Sequence, residues 1–161
     1  AFWCLPFPLK GISEEVFYDL DHKHSFPIPD YNKRSLPISF HNSHTTLYFG
    51  KDKALIEKYV FLLGEEIECK VGDLYFNEDC CAYTIKLEKT KGLYLGASEP
   101  HVTVVCFGDA KPRQSNDMFL EKKLSFIRTP LSGKVYKSKV SAAIYTKGGV
   151  EYTTDPSRLK L

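Results

Sequence analysis

No apolar run in these 161 residues approaches the roughly 20 residues that a membrane-crossing helix needs. No basic segment followed by an apolar core resembles a signal peptide, and residue 1 is Ala, so the chain reads as a domain excised from a longer protein. No Cys-x-x-Cys spacing occurs among Cys4, Cys69, Cys80, Cys81 and Cys106, and their number is odd, which argues against a zinc site and against a disulfide framework. Adjacent Cys80 and Cys81 on a strand would point to opposite faces, so packing rather than redox chemistry is expected of them, in a reducing, cytoplasmic compartment. Histidine is scarce, with five in the chain. His22 and His24 have a metal-like i, i+2 spacing, but no third ligand accompanies them, and they read as surface residues. His41 follows the same proline-punctuated passage.

Charge of one sign is lacking overall, with a formal net charge of +2, but its distribution is uneven. Residues 101–161 carry 11 Lys/Arg against 5 Asp/Glu (+6), and the first hundred carry 11 against 15 (−4). Lys111, Arg113, Lys122, Lys123, Arg128, Lys134, Lys137 and Lys139 make the C-terminal part the expected polyanion surface. The 43% hydrophobic and 26% charged fractions are those of an ordinary globular protein, and the length suits one core or two small lobes sharing one. Residues 1–161 are therefore expected to form a single domain.

Against this background one pattern occurs twice. His44-Thr45-Thr46-Leu47 and His101-Val102-Thr103-Val104 each read histidine, any residue, threonine, apolar residue. Both fall in β-branched, apolar segments bounded by glycine, which predicts strands. On a strand, residues i and i+2 share a face, so each motif presents an imidazole beside a hydroxyl and turns its next apolar residue away. Two such strands across a cleft would offer two imidazoles and two hydroxyls to one tetrahedral anion. Opening a cyclic phosphodiester in line requires a base for water and an acid for the departing oxygen. Histidine, with an ordinary pKa of about 6.5, fills either role near neutral pH without a metal or other cofactor. The threonine hydroxyls suit the non-bridging oxygens and can orient the neighbouring ring.

The remaining elements follow from capping and periodicity. The proline-punctuated start, Ala1 to Leu9, reads as an edge strand and turn. Ser13 to Leu20 has a short helical face, and residues 21 to 40 look irregular. Asp52 caps a helix that Gly64 stops. Strands follow at Ile67 to Phe76 and Cys80 to Leu87 around the turn Asn77-Glu78-Asp79, and Leu93-Tyr94-Leu95 leads toward the second motif. Ser115 is expected to cap a second helix whose face includes Met118, Phe119, Leu124 and Phe126. Strands at Lys134 to Val140, Ala142 to Thr146 and Val150 to Thr153, with Gly148-Gly149 as a hairpin signal, complete the chain. The order is motif strand, helix, strands, given twice, which would set the motifs in related positions on facing sheets.

On these residues the chain resembles the two-histidine phosphoesterase superfamily and, within it, the 2',3'-cyclic-nucleotide 3'-phosphodiesterases. Beyond the motifs, Leu5-Pro6-Phe7, Phe49, Gly96-Ala97-Ser98 and Leu131-Ser132-Gly133-Lys134-Val135-Tyr136 look similar. The resemblance implies an α+β, bilobal fold in which two antiparallel sheets face each other across a central cleft, with helices outside. It implies metal-independent hydrolysis of 2',3'-cyclic nucleotides or RNA 3' ends to 2'-phosphates by a monomeric domain, with His44 and Thr46 as one pair and His101 and Thr103 as the other. His101 would be the base and His44 the acid. Phe49 matches an aromatic near the family's base-binding site, its other reading being a core phenylalanine. Glu99-Pro100 stands where mammalian relatives have an arginine. The chain ends without their prenylation signal, so membrane anchoring does not carry over. Cleavage of 2',5'-linked oligoadenylate by the same four side chains, and an RNA-binding module without catalysis, are the competing readings.

Overall fold

The computed structural model describes residues 2–7, 38–40, 44–88, 100–121 and 124–159, with 38–40 and 88 described by backbone alone. The helix expected over Ser13 to Leu20, the segment Leu93 to Leu95, Glu99, and His22, His24 and His41 lie outside these residues. The described chain is α+β, with two antiparallel sheets and two α-helices. None of the helices among the described residues is long and apolar enough to cross a membrane.

The strands are β1 (Phe2–Pro6), β2 (Ile38–Phe40), β3 (His44–Tyr48), β4 (Glu66–Phe76), β5 (Cys80–Glu88), β6 (His101–Phe107), β7 (Ser125–Ile127), β8 (Val135–Lys139), β9 (Ser141–Thr146) and β10 (Gly149–Thr153). Helix α1 (Lys53–Leu62) follows β3, and α2 (Gln114–Glu121) follows β6. One sheet has the order β10-β9-β1-β3; the other runs β2-β6-β5-β4-β7, with β8 also pairing β4. Asn77 builds the β4–β5 turn as expected, its side-chain oxygen accepting from the N–H groups of Asp79 (2.8 Å) and Cys80 (3.0 Å). Asp52 caps α1 by accepting from the Ala54 and Leu55 N–H groups, and Gly64, at φ 88°, takes the left-handed position past the helix end.

Three expectations are corrected. Strand β1 is not at an edge: it lies between β9 and β3, and it tolerates Pro6 because that residue is its last. Residues 38–40 are not irregular but pair with the C-terminal half of β6. Helix α2 ends at Glu121, so Phe126 belongs to β7, and Ser115 lies within the helix rather than capping it.

The motif strands sit in different sheets, yet the hairpins that follow them exchange partners. The β4–β5 hairpin, next after the first motif, joins the sheet of the second, and β9–β10 joins the sheet of the first. This interleaving gives both sheets one core, with Trp3, Leu5 and Leu47 from one and Ile67, Val71, Tyr83 and Val102 from the other. Tyr59 of α1 stacks on Trp3 and Tyr48, pinning the helix to the first sheet.

Candidate active site where the two motif strands meet

Strand β3 is at its sheet edge, and the first half of β6 extends beyond the strand β2 that pairs with its end. These two edges meet. Thr45 Oγ1 donates to the His101 carbonyl at 3.1 Å and is fully buried, so the middle residue of the first motif straps it to the second. The expected alternation holds on β3: His44 and Thr46 share the more open face, while Thr45 and Leu47 are buried. On β6, His101 and Thr103 are half-buried, with Val102 and Val104 enclosed. The structure thus brings the two histidines together.

His44 sits among aromatic rings. Its Nδ1 is 2.7 Å from the Tyr152 hydroxyl, and the Phe2 ring lies 5.1 Å from its own. Burial, with a further contribution from charge on His101, pushes its pKa down to about 4, leaving the ring neutral at neutral pH. Phe2 also contacts Phe49 and Tyr145 at 6.0 and 5.9 Å. Phe49 is 70% exposed, which excludes the core reading of this residue and makes it the outer wall of the ring cluster beside His44.

His101 has different company. Its Nε2 is 2.8 Å from the Ser115 hydroxyl, which also lies 2.8 Å from Thr103 Oγ1. Ser115 donates its own proton to the Pro112 carbonyl at 2.6 Å, the back-bonding geometry of a serine early in a helix. With its proton on that carbonyl, the Ser115 oxygen can accept from His101 Nε2–H. Thr103 is thereby tied to its motif histidine through a third residue. Phe119, one helical turn beyond Ser115, lies 5.0 Å from the His101 ring.

Neither the family models nor the curated proteins with which the chain was compared match it.

Four contacting residues escape the sequence pattern: Thr45, Ser115, Phe119 and Tyr152. Ser115 carried a signal, read as a cap. Gln114 reaches back instead to the Lys111 N–H at 2.7 Å, which frees the Ser115 hydroxyl for His101. Tyr152 arrives from 108 residues away, and nothing local marks it.

All five cysteines are free and buried. Burial pushes the Cys4, Cys69 and Cys80 thiols up to about 12 and Cys106 up to about 11, which suppresses thiolate chemistry. Cys80 packs with Ala82, Cys106 and Met118 while Cys81 joins the main core, the opposite facing expected of neighbours on a strand. Among the described residues, no group of three or more His, Cys, Asp or Glu is arranged to hold a metal ion.

Proposed function

We propose that the chain hydrolyses 2',3'-cyclic phosphates on nucleotides or RNA ends to 2'-phosphates, without a metal, in a cleft between two lobes of a two-histidine phosphoesterase fold. The reading rests above all on the meeting of the two motif strands at the seam between sheets, strapped by the hydrogen bond from Thr45 to the His101 carbonyl. Five buried, free thiols favour a reducing, cytoplasmic setting for this domain.

The two environments support a division of labour opposite to the one expected from sequence. His44, neutral through burial, is the base. With its Nδ1–H donated to the Tyr152 oxygen, Nε2 takes the proton of the attacking water as the water oxygen bonds to phosphorus. His101 is the acid: Ser115 accepts from Nε2–H, a contact that favours the protonated ring, and the second proton passes from Nδ1 to the 3'-oxygen as its bond to phosphorus breaks. The anionic phosphate raises the proton affinity of both rings on binding, which brings His44 toward its working range. Thr46 donates to a non-bridging oxygen, Thr103 does the same once its hydroxyl turns from Ser115 to the phosphate, and Phe49 offers its exposed face to the base.

The test is turnover of a 2',3'-cyclic nucleotide, in the presence of chelator, by the parent chain and by His44→Ala and His101→Ala. Each variant should lose about 10²-fold or more. Unchanged turnover in either removes that histidine from the mechanism. Assaying 2',5'-linked oligoadenylate in parallel separates the sibling activity, a hundredfold preference being about 2.7 kcal/mol of differential transition-state binding. Tight RNA binding with no turnover in the parent would identify an inert module.

A further inference from the structure

The face of the larger sheet that carries His101 and Thr103 does not end at the histidine seam. Residues directly opposite on neighbouring strands project to the same side. Thr103 on β6 pairs with Ala82 on β5, Ala82 with Tyr75 on β4, and Tyr75 with Phe126 on β7. One cross-strand row therefore leads from the second motif to Phe126, a span of about 14 Å at ~4.8 Å per strand. Helix α2 lies over Ala82 and adds Phe119 to the row, so that rings succeed one another from His101 to Phe119 (5.0 Å), Tyr75 (5.6 Å) and Phe126 (5.3 Å). Phe126 is 62% exposed, an unusual position for a phenylalanine in a sheet.

Beside this row runs an open groove of about 820 Å³, lined among others by Pro100, Thr84, Tyr75, Lys70, Lys86 and Arg128. Thr84 pairs with His101, so the groove begins one strand from that histidine. Its floor is the irregularity in β4 between Val71 and Leu74, where a Cβ at Gly72 would collide with the Thr84 hydroxyl; glycine keeps the groove open. Among the described residues, Lys70, Lys86 and Arg128 line it together with the carboxylate of Asp73. Aromatic rings at successive positions beside a cationic groove match the needs of a single nucleic-acid strand: π-faces for bases, positive charge for phosphates.

We propose that this face is a track for the nucleotides immediately 5' of a terminal 2',3'-cyclic phosphate, and hence that the preferred substrate is a single-stranded RNA end rather than a free mononucleotide. Phe126 and Tyr75 stack upstream bases, and Lys70, Lys86 and Arg128 hold upstream phosphates. The inference rests on the cyclic-phosphate reading for its direction, but its binding element is tested apart from catalysis.

The probe is a fluorescein-labelled ten-nucleotide single-stranded RNA ending in a 2',3'-cyclic phosphate. Its affinity for the full chain is measured by anisotropy across a salt series, beside turnover of a 2',3'-cyclic mononucleotide. Phe126→Ala should weaken decamer binding roughly 5- to 100-fold, the effect of losing one base–aromatic stack. The double variant Lys70→Ala/Arg128→Ala should lower the slope of log affinity against log salt by about 1.4, at ~0.7 per phosphate contact on a single strand. Both should leave mononucleotide turnover unchanged, which also verifies that they fold. Decamer binding equal to that of the parent in these variants, or no decamer binding by the parent, overturns the track. Variant-sensitive binding in a parent that turns over neither substrate leaves the track standing and removes the catalytic reading instead.

Discussion

Strand β3 closes the edge of the smaller sheet and delivers His44 to the rings of Phe2 and Tyr152, whereas β6 lies between β2 and β5 and delivers His101 to the hydroxyl of Ser115, which Thr103 also contacts. The same four-residue pattern thus carries two imidazoles of opposite disposition. Among rings a charged imidazole loses hydration, and its pKa falls. Against a hydroxyl whose proton is committed elsewhere, an imidazole N–H has a fixed acceptor. On the proposed cyclic-phosphate reading, repetition of the motif would supply the symmetry a phosphate needs, and the unlike surroundings the asymmetry that an acid and a base need.

The sharpest way to break this comparison is to remove each histidine. Loss of 10²- to 10⁴-fold in turnover is expected for either, with the two limbs of a bell-shaped dependence of kcat/KM on pH belonging to the pair. A flat profile between about pH 5 and 8, with proton transfer limiting the rate, would count against histidine chemistry. Next in size is a stability effect confined to His44. Its folded-state pKa lies below the ordinary 6.5, so the unfolded chain takes up a proton first as pH falls. The contribution is fully present above pH 6.5 and is lost as pH drops toward about 4. At 1.36 kcal/mol per unit, the loss over that window is on the order of 3 kcal/mol. Urea midpoints at pH 7 and pH 4.5 should therefore converge in His44→Gln relative to the parent, since carboxylates titrating in the same range are common to both.

What could be read from the chain beforehand was whatever depends on neighbours in sequence. The Asp52 cap, the Gly64 stop, the Asn77 turn and the alternation along β3 are local, and each appears where its chemistry requires. Strand order is not local. Pro6 suggested an edge, but a terminal proline costs no ladder bond, and β1 became central. Ser115 offered a hydroxyl to two competing uses, a cap and a partner 14 residues back, and burial against His101 decided between them. Of the described basic residues foreseen in the C-terminal part, Arg128 alone lines the groove, which it shares with Lys70 and Lys86 from the acidic part of the chain.

Ser115→Ala tests the hydroxyl side of the comparison. It leaves a half-buried His101 N–H and the Thr103 hydroxyl without their shared partner, which should cost about 1–3 kcal/mol of stability by urea denaturation. A purely structural role would stop there. If Ser115 sustains the protonated ring, the limb of the pH–rate profile belonging to the acid should also shift to lower pH, and Ser115→Thr should restore it.

The smallest effect, and the most discriminating, is expected of Thr45→Val. Valine keeps the shape and the β-branching that suit β3 but cannot donate to the His101 carbonyl. Loss of one hydrogen bond at a buried seam should cost about 1 kcal/mol in urea denaturation. Strand β6 retains its pairing with β5 on the other side, so the fold should persist. What the hydrogen bond uniquely fixes is the spacing of the two motif strands. A turnover loss larger than the stability loss accounts for would mark that spacing as part of the catalytic geometry, since displacing one reacting group by 1 Å can cost about 10²-fold. Equal turnover in Thr45→Val and the parent would instead mean that the sheets hold the histidines in register without the strap.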